Sequence, residues 1–195
     1  MMELLELMKY RRSIRKYTDK KIPFDDLQKI IEAGEYAPNA GGGQRSIIVA
    51  VRNKRLAEQI SILNLAKFDR SRLIGSYVSK EQPSVIDDKN IKNGFYGAPC
   101  VCIIFTPKNF LYAVPDAFCC AENMVLEATE LGIASCITAR AEETFDNDIG
   151  RELLKKWCIP DNFIARAFVL LGYCDGEYPQ SKPRRDGRVV IVDED

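Results

Sequence analysis

An α+β architecture, with helices packed against one central sheet, is the expected fold of this 195-residue chain. Three observations lead there. Continuous apolar runs of strand length recur at 47–51, 101–105, 133–138 and 163–173. Segments of helical spacing lie among them without the strict alternation that marks a parallel doubly wound sheet. The chain is 46% hydrophobic and 29% charged, so it can bury a core, and no linker divides it. A single domain over 1–195 is expected.

Taken in order, Leu4, Leu5, Leu7 and Met8 make residues 3–9 a short amphipathic helix. Pro23 followed by Asp25 and Asp26 reads as a helix start, with acids favoured near the positive end of the helix dipole. Leu27, Ile30 and Ile31, then Ala33 and Gly34, carry that helix to about Tyr36. Residues 37–44 form a loop, and Ile47–Val51 a buried strand. Leu56, Ile60, Leu63 and Leu65 return helical spacing over 54–67. From 69 to 96 periodicity is weak, and an excursion of that length is expected to be functional or poorly ordered. Val101–Phe105 is a second strand. Pro115-Asp116 opens the strongest helix, with Ala117, Cys120, Met124, Ala128 and Leu131 on one face, ending near Gly132. Ile133–Thr138 is a third strand, Ile149–Trp157 a helix with Leu153 and Leu154 inward, and Phe163–Tyr173 a fourth strand. Val189–Val192 reads as a fifth.

Composition removes several chemistries. There is no histidine, which excludes Ser-His-Asp and Cys-His catalysis and His-ligated metal. The seven cysteines form no Cys-x-x-Cys pair, so no metal site is expected and they read as small buried hydrophobes in a reducing compartment. No apolar run approaches the ~18–20 residues of a spanning helix, and acids follow the first methionines where a signal peptide needs positive charge. A soluble, cytoplasmic protein with no membrane partner is the expectation.

The net charge of zero hides an asymmetry. Lys9–Lys21 holds seven bases against one acid, and Lys182–Arg188 four against one. The other 175 residues carry 17 bases and 26 acids. Two basic clusters at opposite ends of an acidic chain suggest one small anionic site built from both ends, because chain termini often meet in a compact domain. Two unrelated solvated charge runs are the alternative. A nucleic-acid partner is not expected, since the isoelectric point is near 6.4 rather than above ~9.

Within the first cluster, Arg11-Arg12-Ser13-Ile14-Arg15 combines guanidinium forks with a hydroxyl, the chemistry that grips phosphate. If helical or tightly turned, it would place 11 and 15 on one face. The triplet Gly41–Gly43 matches neither a dinucleotide fingerprint nor a Walker loop. It reads either as a flexible turn or as a place where backbone can approach a flat ligand.

The run Arg11–Tyr17, the loop Ala37-Pro38-Asn39-Ala40 ending at Gln44, and the stretch Asp116–Thr138 together resemble the nitroreductase family of FMN-dependent oxidoreductases. So does Gly172-Tyr173 followed by Lys182-Pro183-Arg184-Arg185. The resemblance implies a central mixed, mainly antiparallel sheet flanked by helices, in an intertwined homodimer with FMN at the subunit interface. It implies that Arg11, Arg12, Ser13 and Arg15 hold the ribityl phosphate and the polar edge of the flavin, with Arg184 and Arg185 approaching the same phosphate. Pro38, Asn39, Ala40 and Gln44 would touch the flavin of the partner subunit, and Ile137, Thr138 and Ala139 would lay backbone against its ring. Asn64 and Lys67 match a flavin-contacting pair of larger relatives, or are ordinary helix-surface residues.

No catalytic side chain is implied. FMN carries the chemistry in a ping-pong hydride transfer from NADPH or NADH to a small electron-poor acceptor, nitroaromatic or quinone, while Arg15 tunes the reduced flavin. Residues 69–96, with Tyr77, Phe95 and Tyr96, would supply a pocket cover or a surface excursion. The chain departs from the family pattern at Asn39, Gly42, Arg45-Ser46, Ala139 and Arg140. Those departures keep two alternatives open: a flavin-dependent dehydrogenase of a specific metabolite, and a non-catalytic flavin-binding module.

Overall fold

Residues 2–66, 68, 82–139 and 142–193 are described by the computed structural model of the chain. Its elements run α1 (Leu4–Tyr10), α2 (Phe24–Glu35), β1 (Ile47–Val51), α3 (Lys54–Ala66), β2 (Cys100–Pro107), α4 (Ala113–Glu130), β3 (Ala134–Thr138), α5 (Asp148–Lys156) and β4 (Phe163–Gly172). The four strands form one sheet in the order β1-β2-β4-β3, and all three pairings are antiparallel. The parallel component is a single pairing outside the strands, Ser13 with Ser135.

The apolar runs are continuous because both faces of the central strands are covered. Alternation sends Cys100, Cys102 and Ile104 of β2, with Ala167, Val169 and Leu171 of β4, into a core shared with α2 and α4. Their neighbours Val101, Ile103 and Phe105, with Ala165, Phe168 and Leu170, enter a second core with α3 and Phe145. A register shift at Ile104/Phe105 keeps the inward sets matched across the longest pair.

Several expectations need correction. β1 is an edge strand, so Ile47–Ala50 are half-buried and only Val51 is fully enclosed. The strongest helix begins at Ala113, two residues before Pro115, because a proline in the first turn removes an N–H that has no intrahelical acceptor there. Val189–Val192 is not a strand: each residue is at least 77% exposed, and a β-branched run without a neighbouring ladder has nothing to pair with. Residues 69–81, including Tyr77, lie outside the described residues. From 82 onward the segment is not a surface excursion: Gln82, Ser84, Val85 and Phe95 are buried, and Phe95 packs on Phe168 with ring centroids 4.7 Å apart.

After α1 the chain continues as an extended arm along the sheet. Ile14 donates its N–H to the Ser135 carbonyl at 2.9 Å, and Thr18 donates to Tyr173 at 2.9 Å. Tyr17 pairs with Cys174. Close approach requires Gly172, where a Cβ would lie 2.7 Å from Tyr17 Cδ1 and 2.8 Å from Pro99 Cδ. Replacing Gly172 by alanine is therefore expected to push the arm off β4 at a cost of about 1–3 kcal/mol. A lower thermal midpoint checks this, and an unchanged midpoint would show that the arm yields freely.

Candidate functional site

The arm dictates how its cations are presented. Because residues 11–17 are extended rather than helical, Arg11, Ser13 and Arg15 share one side by two-residue alternation, and the helical i, i+4 arrangement of 11 and 15 is not formed. The intervening Ile14 is completely buried and anchors the arm. On the Arg11–Ser13–Arg15 side lies the buried Cys136 of β3. Burial pushes its thiol up, while Arg15, a hydrogen bond with Ser13 and Arg11 pull the other way.

Arg15 is held by its backbone rather than by its charge. Its N–H donates to Gln82 Oε1 at 2.6 Å, and its guanidinium sits 6.0 Å from the centroid of the Tyr96 ring. It makes no ion pair among the described residues. Arg12 faces differently. Its Nη1 donates to the Arg11 carbonyl and its Nη2 to the Lys9 carbonyl at 2.7 Å, so the guanidinium covers the C-terminal end of α1, where cations are favoured. Its Nε is buried without a partner. Arg11 lies 3.8 Å from Glu122 of α4, a partly exposed pair of small energetic weight.

The two chain ends do meet. Tyr178 stacks on Tyr10 with centroids 4.9 Å apart and planes within 6°, and its hydroxyl accepts the Arg12 N–H at 3.0 Å. Burial lowers the Arg12 pKa; Tyr178 opposes this, and the cations Arg184 and Arg11 add to it. Arg184 is thus close enough to be felt electrostatically, although both Arg184 and Arg185 are exposed. Tyr178 had no signal in the sequence beyond its position four residues ahead of the second basic cluster.

Beyond Cys136, Ile137 and Thr138 end β3 half-buried, and Ala139 is exposed. Two hydroxyls on this strand, Ser135 Oγ and Thr138 Oγ1, are buried without partners. Buried polar groups are rarely left unpaired in a finished site.

The loop after α2 forms a second, separate group. Pro38 is exposed and Asn39 half-buried. Asn39 Oδ1 accepts the Gln44 N–H at 2.8 Å, closing a 3-10 turn over Ala40–Gly42. Gly41 and Gly42 have φ of 60° and 61°, the left-handed region where glycine carries no penalty. Gln44 also sits at φ 46°, a strained value for a residue with a Cβ. Asp116 in the first turn of α4 accepts the Ala40 N–H at 3.0 Å and fixes the loop to the helix. Asp116, Cys120, Gly34, Pro38 and Gln44 border a cavity of about 190 Å³. No hydrogen bond or ion pair joins this loop to the basic arm among the described residues.

Asn64 is neither a surface residue nor an open ligand: it is 1% exposed, and its Nδ2 donates to Thr144 Oγ1 at 3.0 Å. Lys67 and Arg140 lie outside the described residues. A cavity of about 1100 Å³ between α5 and the start of β4 is bordered by Lys108, Phe145, Arg151 and Cys158 and by none of the flavin-site residues expected from the sequence. All seven cysteines are free, and burial pushes Cys120 up to about 12. No helix among the described residues is long and apolar enough to cross a membrane.

Comparison with known proteins relates the chain to others along most of its length. The model of the nitroreductase family matches residues 8–173. A nitroreductase crystallised with bound FMN from Bacteroides fragilis is 32% identical, covers 99% of this chain and all of its own, and superposes with a TM-score of 0.80. One from Desulfitobacterium hafniense, also with bound FMN, is 25% identical with a TM-score of 0.77, covering 98% of this chain and all of its own. An Archaeoglobus fulgidus protein provisionally named NADH dehydrogenase/NAD(P)H nitroreductase is 29% identical over 177 residues, 89% of this chain and 86% of its own.

Proposed function

The chain belongs to the nitroreductase family, and on that footing we propose that it is an FMN-dependent oxidoreductase. It draws electrons from NADH or NADPH and reduces nitroaromatic, quinone or similar electron-poor acceptors. The observation that carries this reading is the arm itself. Among the described residues Arg15 has no counter-ion, Arg12 Nε and Thr138 Oγ1 are buried without partners, and the second basic cluster reaches Arg12 from the other chain end. That donor set fits a ligand with a phosphate at one end and a polar heterocycle at the other.

When bound, FMN supplies the redox chemistry, accepting hydride from the nicotinamide and passing electrons to the acceptor. The chain's own task is to bind and tune. Arg11, Arg12, Ser13, Arg184 and Arg185 would hold the phosphate by charge-assisted hydrogen bonds, Arg12 while its Nη atoms also cap the end of α1. Arg15 lies where the arm meets Tyr96 and favours a negatively charged reduced ring. Ile137, Thr138 and Ala139 offer backbone to the flat face.

Pro38, Asn39, Ala40 and Gln44 then act on the flavin of a second copy, which accounts for their separation from the arm within one chain. The whole of 1–195 works as one domain of an intertwined homodimer. Val189–Val192 supports this, since four adjacent apolar residues at least 77% exposed are a surface that a partner covers. Their β-branched character suits addition to the partner's sheet.

The test is the visible spectrum of the purified protein, followed by NADPH and then NADH without oxygen. Flavin bands near ~450 nm that bleach with a nicotinamide are expected, and the faster reductant identifies the donor. Flavin bands that do not bleach would favour a flavin-binding module. A colourless protein that ignores added FMN would remove the reading.

A further inference from the structure

The loop after α2 contains a cation that the reading above does not use. Arg45 folds back over its own turn: Nη1 donates to the Ala40 carbonyl at 2.9 Å, and the guanidinium lies over the Phe110 ring at 4.6 Å from its centroid. The turn is shaped around it, because a Cβ at Gly43 would collide with the guanidinium. The third glycine of the triplet therefore has a steric reason that the first two do not share. Gly41 and Gly42 need their positive φ, whereas Gly43 sits at an ordinary φ of −75° and is glycine to make room.

Arg45 is thus fixed at two points yet left electrostatically open. It makes no ion pair among the described residues, and of its five N–H donors only the one to Ala40 has a protein acceptor. A positioned, weakly hydrated guanidinium with spare donors and an aromatic neighbour is suited to carboxylate or phosphate. Around Phe110 the surface is apolar: Leu111 is 82% and Tyr112 51% exposed, and the Phe110 and Tyr112 rings meet edge-on at 5.9 Å.

We infer that Arg45 is a specificity-determining anion anchor, selecting a negatively charged group on a reactant that enters the flavin site. This rests on the proposed function, because it is Ala40, the residue Arg45 touches, that is placed against the partner's flavin. The shared chemistry has two sources, a carboxylate on an aromatic acceptor or the 2′-phosphate that distinguishes NADPH from NADH.

The experiment compares wild type, Arg45→Ala and Gly43→Ala as FMN-loaded protein. The alanine at 43 displaces the guanidinium without removing its charge, at a position whose backbone accepts a side chain. Two ratios of kcat/KM are read: 4-nitrobenzoate over nitrobenzene, and NADPH over NADH. Benzoate affinity is read separately from the shift of the visible flavin band. A fall of about tenfold in the acceptor ratio, with weaker benzoate binding, in both variants supports the inference with the acceptor as source. A like fall in the donor ratio supports it with the nicotinamide phosphate as source. If neither ratio moves, including the case where the variants merely lose FMN, the inference is overturned. A wild-type protein without flavin would bring down the proposed function together with it, whereas a flavin-loaded enzyme indifferent to Arg45 brings down this inference alone.

Discussion

Replacing Arg15 by alanine is expected to weaken FMN binding by about 10–100-fold, the worth of a hydrogen bond to a charged group in a partly enclosed site. The reasoning is geometric. The arm is pinned on both sides of Arg15, by Ile14 to Ser135 and by Thr18 to Tyr173, and the Arg15 N–H is itself tied to Gln82. The backbone therefore stays in place when the side chain is removed, and the loss reports on the guanidinium alone. Riboflavin, which lacks the phosphate, separates two roles. If Arg15 grips phosphate, its removal hurts FMN and spares riboflavin. If it sits at the ring edge, both weaken and the bound flavin becomes harder to reduce. Fluorescence titration with each flavin decides, and unchanged affinity for both would take Arg15 out of the site.

Removing residues 186–195 is expected to convert the protein to a monomer that no longer retains FMN. Val189, Val190, Ile191 and Val192 are nearly as exposed as they can be. Burying four such side chains against a second copy contributes on the order of 5 kcal/mol per tail, and each dimer has two tails. The tail leaves the body after Tyr178, which is tied to Tyr10 and Arg12. Truncation from 186 spares those contacts along with Arg184 and Arg185, so the basic arm keeps its own support. Light scattering with absorbance at the flavin band reads both consequences. A truncated chain that remains dimeric and yellow would show that the dimer is built without the tail.

How far the sequence could be read depended on the range of the interaction. Helices and strands with apolar periodicity, such as α2 and β4, were legible within a few residues because each records its own burial. The approach of Tyr178 and Arg184 to the first basic run was foreshadowed by charge, since two basic clusters in an otherwise acidic chain suggest a shared location, although two unrelated charge runs fit the composition as well. The backbone contacts of Arg12 had no signal in the sequence, because a run of arginines does not reveal which one turns back on a helix end. Val189–Val192 has strand composition but no ladder among the described residues, and composition cannot say whether the neighbour is supplied by another copy. Asn64 was obscured for a similar reason. An asparagine in a helical stretch shows nothing of Thr144, eighty residues away, which receives its hydrogen bond.

The strand order β1-β2-β4-β3 bears on when the site comes into being. The central pair joins residues 100–107 to 163–172, and apart from the Arg15 bond to Gln82 the arm is secured by Ser135, Tyr173, Cys174, Asp175 and Tyr178, over a hundred residues from it. Such long loops must close before their contacts repay the lost chain entropy. During synthesis the cationic arm, which precedes β3 and β4 in the chain, therefore waits without its docking surface until those strands have followed it. Until β4 is in place the nascent protein is left with an undocked cationic arm, exposed to misassociation.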